Sequence, residues 1–490
     1  MLSRFSHHVS PGRLRLVSSQ AISNFKLAAA LPKKVASMAA EQQAVPAQAR
    51  LAVVGDVHGH WNKDADEAAL RCLKPNTVIF LGDFGEEDVE LVQEVASCPL
   101  PKACILGNHD SWFHQVLVPR RKRPLPPQEQ APAKKQAEDS SVAAGVGSAQ
   151  GGGDGGSDSS SDAGGLEGGP SSTAVLEEGG PHPALAPESA VQRQLAALGD
   201  AHIGYSGMAV HGGPPLSLVG ARPFSKGGSS WSSIAPFIAA LYGVNSSKES
   251  AERIVAAARA QHDHNLVIIG HNAPLGLGRE RHDIAGVDWI QGGGDHGDPD
   301  LRLALQTMKE EGRRVALVLC GHMHHRLQGA HGKPAGRRMV AVDPTGALVL
   351  NAATVPRTLP HLPQPVSEPG SPNGTKKASP TQQQLQQQQQ QRQQQELQRR
   401  EAEAAGEQLS WRHFLVVDLA MTPGQEEQGM RVAEARDVWV EVCQKQQETS
   451  SRVAHEFTVA SSTAGKDGII TYKLWDAFTK RYFERTVLNQ

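Results

Sequence analysis

Short apolar runs in this chain end, again and again, in a glycine followed by a residue that can bind a metal or move a proton. Gly55 precedes Asp56 and His58, Gly82 precedes Asp83, and Gly107 precedes Asn108, His109 and Asp110. Further along, Gly270 precedes His271, and Gly321 precedes His322 and His324. Carboxylate, amide and imidazole together suit Mn²⁺, Fe²⁺/³⁺ or Zn²⁺, and none of these endings offers a soft thiolate. Two divalent ions about 3.5–4 Å apart need a shared anionic ligand, which an Asp can be; such a pair lowers the pKa of a bound water and clamps phosphoryl oxygens for in-line attack. A nearby imidazole can protonate the departing alkoxide. If Asp56 and His58 continue an extended strand, residues two apart share one face and reach one ion.

The elements that must position these groups are legible in the same runs. "RLAVVGD", "NTVIFLGD", "KACILGNHD", "LSLVGARPF", "NLVIIGHNAP", "RRVALVLCGHMHH" and "HFLVVDLAM" are continuous apolar stretches rather than strict alternations. That pattern predicts strands covered on both faces. Between them, "DEAALRCL", "EEDVELVQEVASC", "SKESAERIVAAARAQ" and "DPDLRLALQTMKEEG" predict helices, the last with an acidic start and a glycine stop. Strands alternating with helices make a layered α/β domain, whose strand ends converge on one edge where ligands bind.

Composition narrows the class. Lys and Arg number 49 against 51 Asp and Glu, so no basic field invites nucleic acid. The five cysteines are scattered without a Cys-x-x-Cys, which argues against a disulfide framework or a thiolate zinc site. No apolar run is long enough to predict a membrane span. Residues 1–45 read as a transit peptide: Arg4, Arg13, Arg15, Lys26, Lys33 and Lys34 come before any acidic residue. A chloroplast address follows, with the mitochondrion as the alternative. Residues 119–189 (Gly, Ser and Pro rich) and 358–408 (Gln rich) cannot bury enough apolar surface to offset the entropy of ordering, and read as disordered insertions. The domain is thus expected in pieces at 50–118, 190–357 and 409–445, followed by a C-terminal extension at 446–490.

The ordered set D-x-H, GD, GNH-D, GH and GH-x-H resembles the calcineurin-like metallophosphoesterase superfamily over 50–118 and 190–357. The resemblance implies a two-sheet β-sandwich flanked by helices, with two metal ions at the strand ends. It implies that Asp56, His58 and His324 hold the first metal, that Asn108, His271 and His322 hold the second, and that Asp83 bridges them. His109 becomes a non-ligand facing the leaving group, with Asp110 beside it to orient or tune the imidazole. The phosphoprotein phosphatases of that superfamily carry GD-x-V-D-R-G and GNHE; "GDFGEED" and "GNHD" here lack the arginine, which argues against a protein phosphatase. "GARPFSKGG", "GVDWIQGGGDHGDPDL" and "LNAATVPR" resemble a cyanobacterial and plant branch.

The reading is therefore dinuclear-metal-dependent hydrolysis of a small-molecule or nucleotide phosphate ester. A phosphodiesterase or pyrophosphatase acting on a nucleotide, or a non-catalytic binding protein on the same fold, are the alternatives. Arg222 and Arg357, each following a strand, are candidates to grip phosphate. Asp295 and His296 read first as a helix-start signal rather than as pocket residues.

Overall fold

The structure is a computed structural model; it describes residues 48–115, 182–228, 231–262, 265–290, 292–327, 336–360, 407–421, 429–445, 448–465 and 468–488. The transit segment and most of both insertions lie outside these residues. Two mixed sheets form the frame. The first begins with β1 (Gln48–Val54), β2 (Thr77–Phe80) and β3 (Lys102–Cys104), which run parallel. The second contains β4 (Gly207–Ala209), β5 (Ser217–Gly220), β6 (Asn265–Ile269), β7 (Arg314–Cys320), β8 (Val340–Val342) and β9 (Leu348–Asn351), in the order β4-β5-β6-β7-β9-β8. Its four inner strands β5, β6, β7 and β9 are parallel to one another.

The first sheet is completed from the far end of the chain. After β10 (Thr358–Leu359), β11 (Glu407–Met421) lies antiparallel to β1. Then β12 (Met430–Lys445), β13 (Glu448–Ala464), β14 (Ile469–Asp476) and β15 (Arg481–Leu488) continue outward as an antiparallel meander. The strands β13 to β15, which fall in the stretch read from sequence as an extension at 446–490, therefore belong to the same nine-stranded sheet. An Arg50 guanidinium bound bidentately to Asp418 pins β1 to β11.

Helices cover the outer faces. Against the first sheet lie α1 (Lys63–Leu73), α2 (Val89–Ser97), α3 (Ala190–Leu198) and α4 (Trp231–Tyr242); against the second lie α5 (Ser247–Arg259) and α6 (Pro299–Glu310). Caps fix their starts: the Asn62 side chain accepts from Ala65 N, Asp88 from Leu91 N and Ser246 from Glu249 N. The central core lies between the sheets, with Leu51, Val53, Ile79, Leu317, Leu319, Val417 and Leu419 fully buried within it. Cutting one of these leucines to Ala costs about 2–5 kcal/mol.

The insertions are shorter than their composition suggested. His182 packs edge-on against Phe237, and Ala184 and Ser189 are buried, so the chain rejoins the core by 182. The Gln-rich segment is likewise bracketed by β10 and β11, which pair with each other. No helix among the described residues is long and apolar enough to cross a membrane.

Candidate metal centre

The carboxyl ends of β1, β2, β3, β6 and β7 meet at one edge of the sandwich, and there the structure gathers Asp56, His58, Asp83, Asn108, His271, His322 and His324. Ligand atoms of Asp56, His58 and His324 lie within 4.8 Å of one another, as do those of Asp83, His271 and His322. Asp83 stands between the two groups. Its Oδ1 accepts from the His109 N–H at 2.9 Å, while Oδ2 faces His271 Nε2 at 3.2 Å and His58 Nε2 at 3.9 Å.

The donor set fits a cation better than it fits its own hydrogen bonds. His271 Nδ1 lies 2.6 Å from the Leu81 carbonyl, so that nitrogen carries the proton and Nε2 presents a lone pair. That lone pair faces Asn108 Oδ1 at 3.0 Å and the Asp83 carboxylate, both acceptors. His58 Nε2 and His324 Nε2 likewise approach to 3.2 Å. Without a cation, only an added proton relieves the crowding at His271: burial disfavours the imidazolium, yet Asp83 draws its pKa up to about 10. Burial opposes charge on Asp83 as well, but His271 beside it holds the carboxyl well below the usual range. His322, pushed down to about 3 by burial, is a neutral imidazole as a ligand must be.

The backbone achieves this differently from a simple strand exit. His58, Asp83 and His322 all adopt left-handed conformations, with φ of 45°, 49° and 66°. Such strain in non-glycine residues is held only where the surroundings over-determine it. Asp56 and His58 therefore meet through a tight turn after β1 has ended, and the expected extended exit does not occur. Backbone bonds hold the turns together: Val57 N and His58 N donate to the Asp83 carbonyl, and His322 N donates to both Asp56 oxygens at 3.0 Å. Two glycines leave room. A Cβ on Gly107 would stand 2.3 Å from Asp83 Oδ1, and one on Gly321 2.3 Å from Asp56 Oδ1.

His109 lies in a short 3-10 turn, His109–Ser111, with Asn108 already helical, so the turn separates these neighbours rather than strand alternation. Its ring stands 4.9 Å from that of His58, and its ligand atom falls within 4.8 Å of those of His58 and Asp83. Among the described residues no protein group hydrogen-bonds its Nδ1. Glu87 steadies the segment by donating its N–H to the His109 carbonyl and accepting from Phe113 N, His114 N and His114 Nδ1.

Asp110 points the other way. Its fully buried carboxylate accepts from Asp83 N, Phe84 N and Gly107 N and, among the described residues, makes no hydrogen bond to the His109 ring, so it fastens two motif turns together. That corrects the expectation that it tunes His109. Arg357 is also displaced from its expected role. Its guanidinium is buried against Asp66 and the His60 carbonyl, away from the cavity, because β10 and β11 carry it to the outer face of the first sheet. Arg222 does line the cavity, but Asp300 and Asp298 at the start of α6 occupy its Nε and Nη2, and only Nη1 lacks a partner.

A cavity of about 700 Å³ opens over the centre. Asp295 and His296 line it, contrary to the sequence reading. Asp295 also ties the loop by accepting from the N–H groups of Gly276, Gly278 and Gly297. The His296 carbonyl accepts from Gly228 N and Asn272 Nδ2, and its ring lies 5.6 Å from that of His322, nearly parallel. Sequence reasoning also missed the wall residues Lys226, Trp112, Trp231 and Trp289, which carry no motif of their own.

No curated protein matches the chain. A family model does: residues 49–185 match calcineurin-like phosphoesterase, a stretch that delivers Asp56, His58, Asp83, Asn108 and His109. The histidines of the second sheet lie beyond it and converge on the same point. The chain thus carries a calcineurin-like phosphoesterase domain, matched over residues 49–185 and set in a fold of two mixed sheets flanked by helices.

Proposed function

We propose that the protein hydrolyses a phosphate ester with two divalent metal ions, drawn from Mn²⁺, Fe²⁺/³⁺ and Zn²⁺. Asp56, His58 and His324 would hold one ion, Asn108, His271 and His322 the other, and Asp83 would be shared between them. The observation that carries the reading is Asp83: one carboxylate oxygen faces imidazoles of both groups while the other is anchored by the His109 N–H. When bound, the metal pair supplies an ionised water and clamps the phosphoryl oxygens.

The chain's own residues do the rest. The left-handed turns at His58, Asp83 and His322 fix the ligands before any ion arrives. Asp110 keeps the second and third motif turns at a set spacing through its three N–H contacts. His109, not tied to a protein acceptor through Nδ1, gives a proton to the departing alkoxide as the P–O bond to it breaks. Elemental analysis after loading with Mn²⁺, Fe²⁺ and Zn²⁺ in turn tests the centre. About two ions per chain are expected, with both sites damaged in Asp83→Asn and chiefly one emptied in His58→Ala. No uptake of any of the three refutes the reading.

We propose further that residues 1–45 direct the chain to the chloroplast, on composition alone. Fused to a fluorescent protein they should carry it there, the mitochondrion being the alternative; diffuse cytosolic signal refutes the address and leaves the chemistry untouched.

A further inference from the structure

The cavity above the metal centre is far larger than a phosphoryl group needs, and its size falls in the range of small-molecule sites. Its walls are unusual for this chain. Of seven tryptophans, Trp112, Trp231 and Trp289 line this one cavity. Two of them are left open to solvent, Trp112 at 45% and Trp289 at 46% exposure.

Those two are connected to the centre by unbroken ring contacts. On one side, Trp112 stacks on His109 at 4.4 Å, His109 meets His58 at 4.9 Å, and His58 meets His324 at 5.1 Å. On the other, Trp289 meets His296 at 5.1 Å, His296 meets His322 at 5.6 Å, and His322 meets His271 at 5.2 Å. Each cluster of candidate ligands thus leads outward to its own exposed indole. Trp112 sits beside the residue that faces the leaving group.

The charges of the wall favour an anionic ligand. Arg222 is neutralised by Asp298 and Asp300, and Arg337 by Asp288. Lys226 and Arg326, in contrast, line the cavity with no carboxylate partner among the described residues. Lys226 is half-buried, and a half-buried ammonium without a counter-ion is costly until an anion joins it.

We propose, resting on the hydrolase reading, that the substrate is a phosphoester whose alcohol half carries a flat aromatic ring, as a nucleoside monophosphate does. The ring lies along Trp112, or along Trp289 for a group on the second flank, and Lys226 and Arg326 draw the anion in. Exposed indoles are suited to this because stacking is tolerant of ring identity.

The test uses two hydrolysis-resistant probes, the methylene phosphonate analogues of adenosine 5′-monophosphate and ribose 5-phosphate, which differ only in the base. Each is titrated calorimetrically into the full chain in Mn²⁺. The adenosine analogue is expected to bind about 5- to 160-fold tighter, the range of one aromatic stack. Trp112→Ala or Trp289→Ala should collapse that ratio toward one, and Trp112→Phe, which keeps a flat face, should retain most of it. Equal affinities in the unaltered chain, no binding of either probe, or a ratio untouched by both alanine variants overturns the proposal. Turnover of the parent esters is measured in parallel. Ring preference without turnover removes the hydrolase reading alone, and turnover without ring preference removes the ring proposal alone.

Discussion

Gly107→Ala probes the packing of the candidate metal centre directly, because it adds one methyl group and no polar atom. Gly107 has no left-handed backbone requirement, so its tolerance of Ala depends on space alone. There is none: the new Cβ would meet Asp83 Oδ1 at 2.3 Å, His271 Cε1 at 2.5 Å and Asp83 N at 2.7 Å. Asp83 and His271 are themselves buried, and the Asp83 backbone is fastened to Asp110, so neither can swing away. Overpacking of this kind costs about 1–3 kcal/mol. In a domain of this size, with about 2.1 cal/mol/K of unfolding entropy per residue, each kcal/mol lowers Tm by about 1.5 °C. The displaced groups are also the proposed bridge and a ligand of the second ion, so metal uptake should fall with stability. Gly59→Ala is the control: its φ is +75° and nothing lies within 4 Å, so it should cost only backbone strain, about 1–2 kcal/mol, with metal content unchanged. Scanning fluorimetry with and without Mn²⁺, together with elemental analysis, reads both quantities. A Gly107→Ala protein with unchanged Tm and a full metal complement would refute the argument that these strand ends are packed to contact around the site.

Further expectations can be checked separately. His109→Ala should keep its metals while kcat falls about 10²- to 10⁴-fold, more for alkyl phosphates than for nitrophenyl phosphate, whose leaving group needs no proton; loss of metal in step with activity would make His109 a ligand. In chelator-treated protein the His271 imidazolium beside Asp83 has a folded pKa of about 10, raised above its ordinary value. Its contribution to stability is therefore complete below about pH 6.5 and lost as pH climbs to about 10. The urea midpoint should fall between pH 7 and 9.5, and His271→Gln should flatten that slope; an equal slope in the variant refutes the assignment. Deleting 119–180 and 362–405 should leave Tm unchanged, whereas extending the first deletion through 189 removes the buried Ala184 and Ser189 and should lower it; equal Tm for both deletions counts against the packing of 182–189.

The turns that carry the candidate ligands were legible in the sequence because each couples an apolar run to a glycine and a polar residue, and that coupling survives without any tertiary information. What the turns look like was not legible. Left-handed φ at His58, Asp83 and His322 is imposed by long-range bonds, such as His322 N to the Asp56 carboxylate, that local propensity cannot encode. Arg357 shows the limit of reading charge from position: a strand-following arginine looks available for phosphate until Asp66, from α1, is seen to hold it. β12 to β15 escaped notice because their solvent faces carry Arg, Glu, Ser and Thr, which dilutes the apolar signal that marked the inner strands. The tryptophans of the cavity belong to no motif, and only the folded chain brings them to one wall.

The pairing of β1 with β11 has a kinetic consequence. Arg50 and Asp418 are 368 positions apart, so a ribosome working at about 5–20 residues per second needs about 20–70 s between them. For that whole interval β1, which leads into the turn of Asp56 and His58, has an open edge and no antiparallel neighbour, although β2 and β3 are already made. The β1 edge of the first sheet therefore closes only after β11 has left the ribosome. Loop closure over that distance makes the closing step slow compared with the formation of any single helix. A chain in this condition is threadable until β11 has been synthesised, although every residue of the candidate centre is in place before it.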